Sequence, residues 1–76
     1  MPRYFFHVRS IESSTDTEGD ELPDEEAAWR VATTFAADLL QDMRSRFAPG
    51  QEWHLEVTDE TGKSIFNIRI SAKDIR

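Results

Sequence analysis

A chain of 76 residues has room for one small hydrophobic core and none for a second domain. It contains no cysteine, which excludes disulfides, thiol chemistry and Cys-based zinc sites. A net charge of −6 makes it a poor match for DNA or an anionic membrane.

The distribution of charge is uneven. Eight of the fifteen acids fall between Glu12 and Glu26, with no Lys or Arg between Arg9 and Arg30. The opening residues lack the continuous apolar run of a secretory signal, because Arg3, His7 and Arg9 interrupt it. No stretch approaches the roughly 18 apolar residues of a membrane span. The expectation is a cytoplasmic protein in a reducing compartment. A domain this small buries only about 60% of its unfolded surface, so self-association has a raised prior.

The first element is a strand over residues 3–9. Tyr4, Phe6 and Val8 alternate with Phe5, His7 and Arg9, and the first row is assigned to the core. Residues 10–23 carry turn chemistry, although Asp20–Leu22 could return briefly beside that strand. Pro23 then disfavours helix before it, and Asp24 is a good N-cap followed by Glu25 and Glu26.

A long helix is predicted from Asp24 to about Phe47. Ala28, Val31, Ala32, Phe35, Leu39 and Met43 form its inner face, and Trp29, Ala36, Leu40 and Phe47 widen one flank. Pro49-Gly50 ends it. A hairpin follows, with Trp53, Leu55 and Val57 inward on one arm, Phe66, Ile68 and Ile70 inward on the other, and Gly62 in the turn. The tail 71–76 is expected to form one loose turn held by Ile75.

These elements predict a single α+β domain over residues 1–76: one long helix packed on a three- or four-stranded antiparallel or mixed sheet. Strand 64–70 is the most apolar and is therefore placed centrally, between the first strand and strand 52–58.

Sequence motifs for chemistry are weak. Thr61-Gly62-Lys63-Ser64 resembles the end of a phosphate-binding loop, but Val57 stands where that loop needs glycine, and a strand follows where it needs a helix. Asp16-x-Glu18-x-Asp20 has the alternating carboxylates of a calcium loop, but Glu21 and Ala27 replace its glycine and its closing glutamate. His7 and His54 lie on outward strand rows, where convergence with Glu52 or Glu56 on a metal is disfavoured by the assumed strand order. The serines lack a nucleophile elbow or a neighbouring histidine. The expectation is therefore no catalytic residue, no metal and no cofactor.

The outer sheet face is the better candidate surface. It is expected to show Phe5, His7 and Arg9 with Ile65, Asn67 and Arg69, the Phe5/Ile65 pair supplying an apolar patch. Arg3, Arg9 and Arg69 beside Phe5 also permit single-stranded nucleic acid on this face. Two glutamates on the strand 52–58 row make that the lesser reading.

The stretches Met1–Arg9, Asp16–Asp24 and Asp59–Gly62 together resemble a family of short bacterial proteins of unknown function. That family has an M-P-x-Y-x-F-H start and a D-x-E-G-x-E-L-P-D segment. The resemblance implies a small α+β domain and carries over no site residues. The family often has Asp-Gly directly after the first strand; Ser10-Ile11-Glu12 here argues against a tight first hairpin. The acidic loop before the helix is also similar, at the level of fold, to antitoxin domains of the HicB type. The combined expectation is a non-enzymatic interaction module that forms a homodimer, or binds an unidentified protein, through the outer face or a strand edge. The alternative is a nucleic-acid-binding or antitoxin-like regulatory domain using the same face.

Overall fold

A computed structural model describes residues 1–10, 13–42 and 49–76. The elements are β1 (Arg3–Arg9), β2 (Asp20–Glu21), α1 (Glu25–Asp42), β3 (Glu52–Asp59) and β4 (Ser64–Ser71). All strand pairings are antiparallel, in the order β2-β1-β3-β4. The α+β class and the element order are as expected, and the brief return strand forms opposite Arg3 and Tyr4. The predicted helix end, with Met43 and Phe47, lies outside the described residues.

The strand order departs from expectation. β3, not β4, is the inner strand beside β1, and β4 lies at the edge. Apolar content misled because it does not measure depth. Trp53, Leu55 and Val57 of β3 are at most 2% exposed, whereas Phe66, Ile68 and Ile70 of β4 are only half-buried. The helix lies over β3, so β3 is covered and β4 is left at the margin.

Helix α1 begins where the sequence said it should. The Asp24 carboxylate accepts a hydrogen bond from the Ala27 N–H at 2.9 Å, and its carbonyl accepts one from Ala28. The buried stripe is Ala28, Ala32 and Ala36, spaced by four residues. Alanine at these positions lets the helix backbone approach the sheet closely, while larger side chains splay to either flank. Phe35 stacks on Phe6 of β1 with ring centroids 6.4 Å apart. On the other flank, Trp29 meets Phe66 of β4 at 5.2 Å. The inner face is thus centred on small residues, with the expected Phe35 displaced to its rim.

The β3–β4 turn confirms the hairpin reading of Thr61-Gly62-Lys63-Ser64. One oxygen of Asp59 accepts from the Thr61 N–H and hydroxyl and from the Lys63 N–H, and Gly62 has φ +87°. The Thr61 hydroxyl foremost, and then the two N–H donors, hold the Asp59 carboxyl below the usual carboxylate range. Near the turn, Val57 pairs with Phe66 but Thr58 pairs with Ser64, so Ile65 is the extra residue of a β-bulge. The tail is not anchored through Ile75, which is 87% exposed. Asp74 and Arg76 instead pair with each other.

Candidate functional site

The two long edges of the sheet are treated very differently. On the β1 side, the loop before β2 fills the backbone positions that β2 is too short to reach. Val8 exchanges two 2.8 Å hydrogen bonds with Ser14, and the Phe6 N–H donates to Asp16 Oδ2 at 3.2 Å. The other Asp16 oxygen accepts from the N–H groups of Glu18 and Gly19, both at 3.1 Å. Asp16 is therefore a side chain standing in for a missing strand residue. Both Asp16 oxygens thus accept backbone N–H donors. Among the described residues, no group of His, Asp and Glu side chains is arranged to hold a metal ion.

The same loop locks His7. The Asp16 N–H donates to Nδ1 at 3.1 Å, which leaves Nε2 as the N–H that donates to Thr58 Oγ1 at 3.0 Å. His7 and Thr58 are both buried, so His7 is not the exposed strand histidine expected from sequence. The misplaced strand order and the unseen loop account for that error. Phe5 stacks beside it with ring centroids 6.4 Å apart and planes within 3°.

Burial tends to raise the Asp16 carboxyl pKa, but the Gly19, Phe6 and Glu18 N–H donors and the nearby His7 outweigh it, leaving it below the ordinary value. A depressed folded pKa contributes stability that is complete above the unfolded pKa, near 4, and lost as pH falls through the folded value. Asp16→Asn is expected to cost about 1–2 kcal/mol at neutral pH through weakened charge-assisted hydrogen bonds. In denaturant titrations at several pH values, that deficit should be constant from pH ~6 to ~8 and shrink below pH ~4. A deficit unchanged at low pH would mean that the carboxylate charge plays no part.

The outer face as a whole is a polar network. Arg9 lies 3.6 Å from Glu56 and also donates to Thr15, while Arg3 pairs with Glu21 at 3.0 Å and donates to the Glu18 carbonyl. His54 lies between Glu52 at 2.7 Å and Asn67 at 3.3 Å. His7 and His54 stand on neighbouring strands, opposite Glu56 and Arg9 respectively, with the nitrogens of each ring already engaged. The strand order assumed from sequence was the wrong reason for setting their convergence aside.

Of the six residues expected on this face, Phe5, Arg9, Asn67 and Arg69 belong to it, with Asn67 and Arg69 exposed. His7 faces the same way but is covered. Ile65 does not join Phe5 in a patch: it packs against the core cluster, because the bulge turns it to the helix side together with Phe66.

The opposite edge is open. Among the described residues, β4 has β3 on one side and no strand on the other. Hydrogen-bond alternation fixes which of its groups face outward. Phe6 and Val8 bond toward the β2 side, so Phe5, His7 and Arg9 bond to Thr58, Glu56 and His54; Trp53, Leu55 and Val57 then bond to Ile70, Ile68 and Phe66. The backbone groups of Asn67, Arg69 and Ser71 consequently point away from the sheet, without a strand partner among the described residues. Trp29 at 44% exposure and Leu40 at 39% extend the half-buried Phe66, Ile68 and Ile70 into an apolar margin. Helical spacing puts Leu40 on the Trp29 flank, and Trp29 contacts Phe66, so both face the β4 side. Sequence reasoning missed this margin because it took β4 to be central.

No helix among the described residues is long and apolar enough to cross a membrane. Neither a curated protein nor a solved structure matches the chain. A family model does match, over residues 3–71, which is nearly the whole of the described fold. The chain therefore belongs to the family defined by the domain of unknown function DUF6894.

Proposed function

We propose that this domain is a non-enzymatic protein-interaction module that self-associates through the open edge of β4. The carrying observation is the asymmetry of the two sheet edges. The β1 side is sealed by a short strand, a bridge at Ser14 and the Asp16 carboxylate, whereas β4 presents eight residues with only the Ile65 bulge and one charge, Arg69, to protect them. A free edge of this length, backed by Phe66, Ile68, Ile70, Trp29 and Leu40, favours strand addition with burial of the apolar margin. Asn67 and Arg69 belong to this surface. Phe5, His7 and Arg9 lie two strands away and contribute to the stability of the β1 side instead.

The nucleic-acid reading has less behind it. It needs free cations around Phe5, and Arg3 and Arg9 are both engaged with acids or loop oxygens. Arg69 alone of the three has no ion-pair partner among the described residues.

Arg69→Pro tests the strand-edge reading directly. It removes an N–H that points away from β3, so the fold should be retained while pairing is blocked. Sedimentation equilibrium should show a concentration-dependent dimer for the unmodified protein and a monomer for Arg69→Pro. An unmodified protein that stays monomeric at high micromolar concentration sinks the proposal.

A further inference from the structure

The apolar margin and the charges beside it also bear on how two copies meet, an inference that rests on the strand-edge reading above. We infer that two β4 strands pair antiparallel about a two-fold axis at Ile68, giving one continuous eight-stranded sheet. Residues opposite each other in an antiparallel pair share a face, so a two-fold axis must pass through a residue position rather than between two. The axes that keep at least five residues of the strand, Ser64–Ser71, paired are Phe66, Asn67, Ile68 and Arg69. An axis at Phe66 or Asn67 brings the Ile65 bulge into the pairing, where the ladder is irregular.

An axis at Arg69 sets Arg69 directly against Arg69 of the second copy, flanked on each side by His54, its neighbour on β3. Like charges directly opposite are unfavourable. An axis at Ile68 instead sets Arg69 of one copy against Asn67 of the other. The next residue in that row is Glu56, which pairs with Asn67 on β3. The long arginine side chain then crosses the small amide toward a carboxylate, twice by symmetry.

On the helix side, the same register places Ile68 against its own copy and Phe66 against Ile70. Trp29 contacts Phe66 at one end of the margin. Leu40, eleven residues further along the helix and about 16 Å away, lies toward the Ile70 end, since β3 runs back from there. The two-fold therefore brings the Trp29 end of one margin to the Leu40 end of the other. Large apolar groups meet large apolar groups, and neither tryptophan overhangs the partner's strand end.

The absence of cysteine makes the test clean, because any introduced thiol is the sole one. An Ile68 axis brings the two residue 68 Cα atoms to about 4.5 Å, and an Arg69 axis brings the two residue 69 Cα atoms to about 5.5 Å; both distances suit a disulfide. Under mild oxidation, Ile68→Cys should form a covalent dimer and Arg69→Cys should not. The reverse result overturns the Ile68 axis while leaving strand-edge association standing. Neither cross-link, with a dimer still present in sedimentation, also overturns the Ile68 axis, and a monomeric unmodified protein overturns the parent reading.

Asn67→Lys provides a second measurement at an exposed position, where Glu56 opposite can accept the new charge within one copy. It should weaken dimerisation about tenfold with an Ile68 axis, because two Arg69–Asn67 pairs become repulsive. Unchanged association would count against that axis.

Discussion

Leu55→Ala is expected to destabilise the domain by about 3–4 kcal/mol, roughly twice the loss from Ile68→Ala. Both substitutions delete a branched aliphatic side chain of the same size from the helix-facing side of the sheet. Leu55 is fully buried under the alanine stripe of α1, so its removal leaves a cavity. Ile68 is half-buried at the β4 margin, where solvent already reaches it and little cavity forms. A domain of this length has a stability of roughly 4–11 kcal/mol, so Leu55→Ala should lower the melting temperature by about 15–25 °C. Denaturant unfolding at protein concentrations low enough to be monomeric measures both losses. Equal losses, or a larger one at Ile68, would mean that β4 rather than β3 is the inner strand.

Gly19→Ala should cost about 2–3 kcal/mol, although the position lies in a surface loop. Gly19 has φ +71°, a conformation that already penalises alanine by about 1–2 kcal/mol. A Cβ there would also stand 2.8 Å from the Tyr4 carbonyl oxygen and 2.9 Å from both Arg3 Cγ and Phe5 Cε2. The carbonyl belongs to β1 and cannot yield as a side chain end can. The Gly19 N–H is moreover one of the donors to Asp16, so displacing it weakens the loop that pins His7. Thermal unfolding of Gly19→Ala checks the size of the effect. Glu18→Ala is the control: it retains the carbonyl that accepts from Arg3 and should be nearly silent. A silent Gly19→Ala would show that the loop does not lie against β1 in the way described.

These two positions mark the boundary between local and tertiary information. The period-two rows of β1 and β3, the Asp24 cap and the Gly62 turn were all legible in the sequence. Each depends on steric and hydrogen-bonding preferences that act within a few residues. Tyr4, Phe6, Trp53, Leu55 and Val57 were accordingly read as core and are buried. Membership of a family of unknown function was legible too.

His7 shows where that reading stopped. Its row was correct, but its burial depends on a loop nine residues away folding back so that the Asp16 N–H meets Nδ1. Nothing in alternation or composition encodes that contact. Ile65 failed for a related reason: a one-residue bulge reverses the face assigned by strict alternation. Asp16 was visible as an acid in a loop, yet its role as a backbone substitute for Phe6 appears only once β2 is seen to stop after two residues.

The sequence by itself determined the three long strands and the helix, their order, the inward rows of β1 and β3 and the start of the helix, because local periodicity and capping chemistry decide those. Only the tertiary structure decided which strand lies inside and which edge stays open. That choice turns on where the helix rests. Ala28, Ala32 and Ala36 seat it over β3, Trp29 and Phe35 reach to either side, and β4, although the most apolar strand, is left with one uncovered edge.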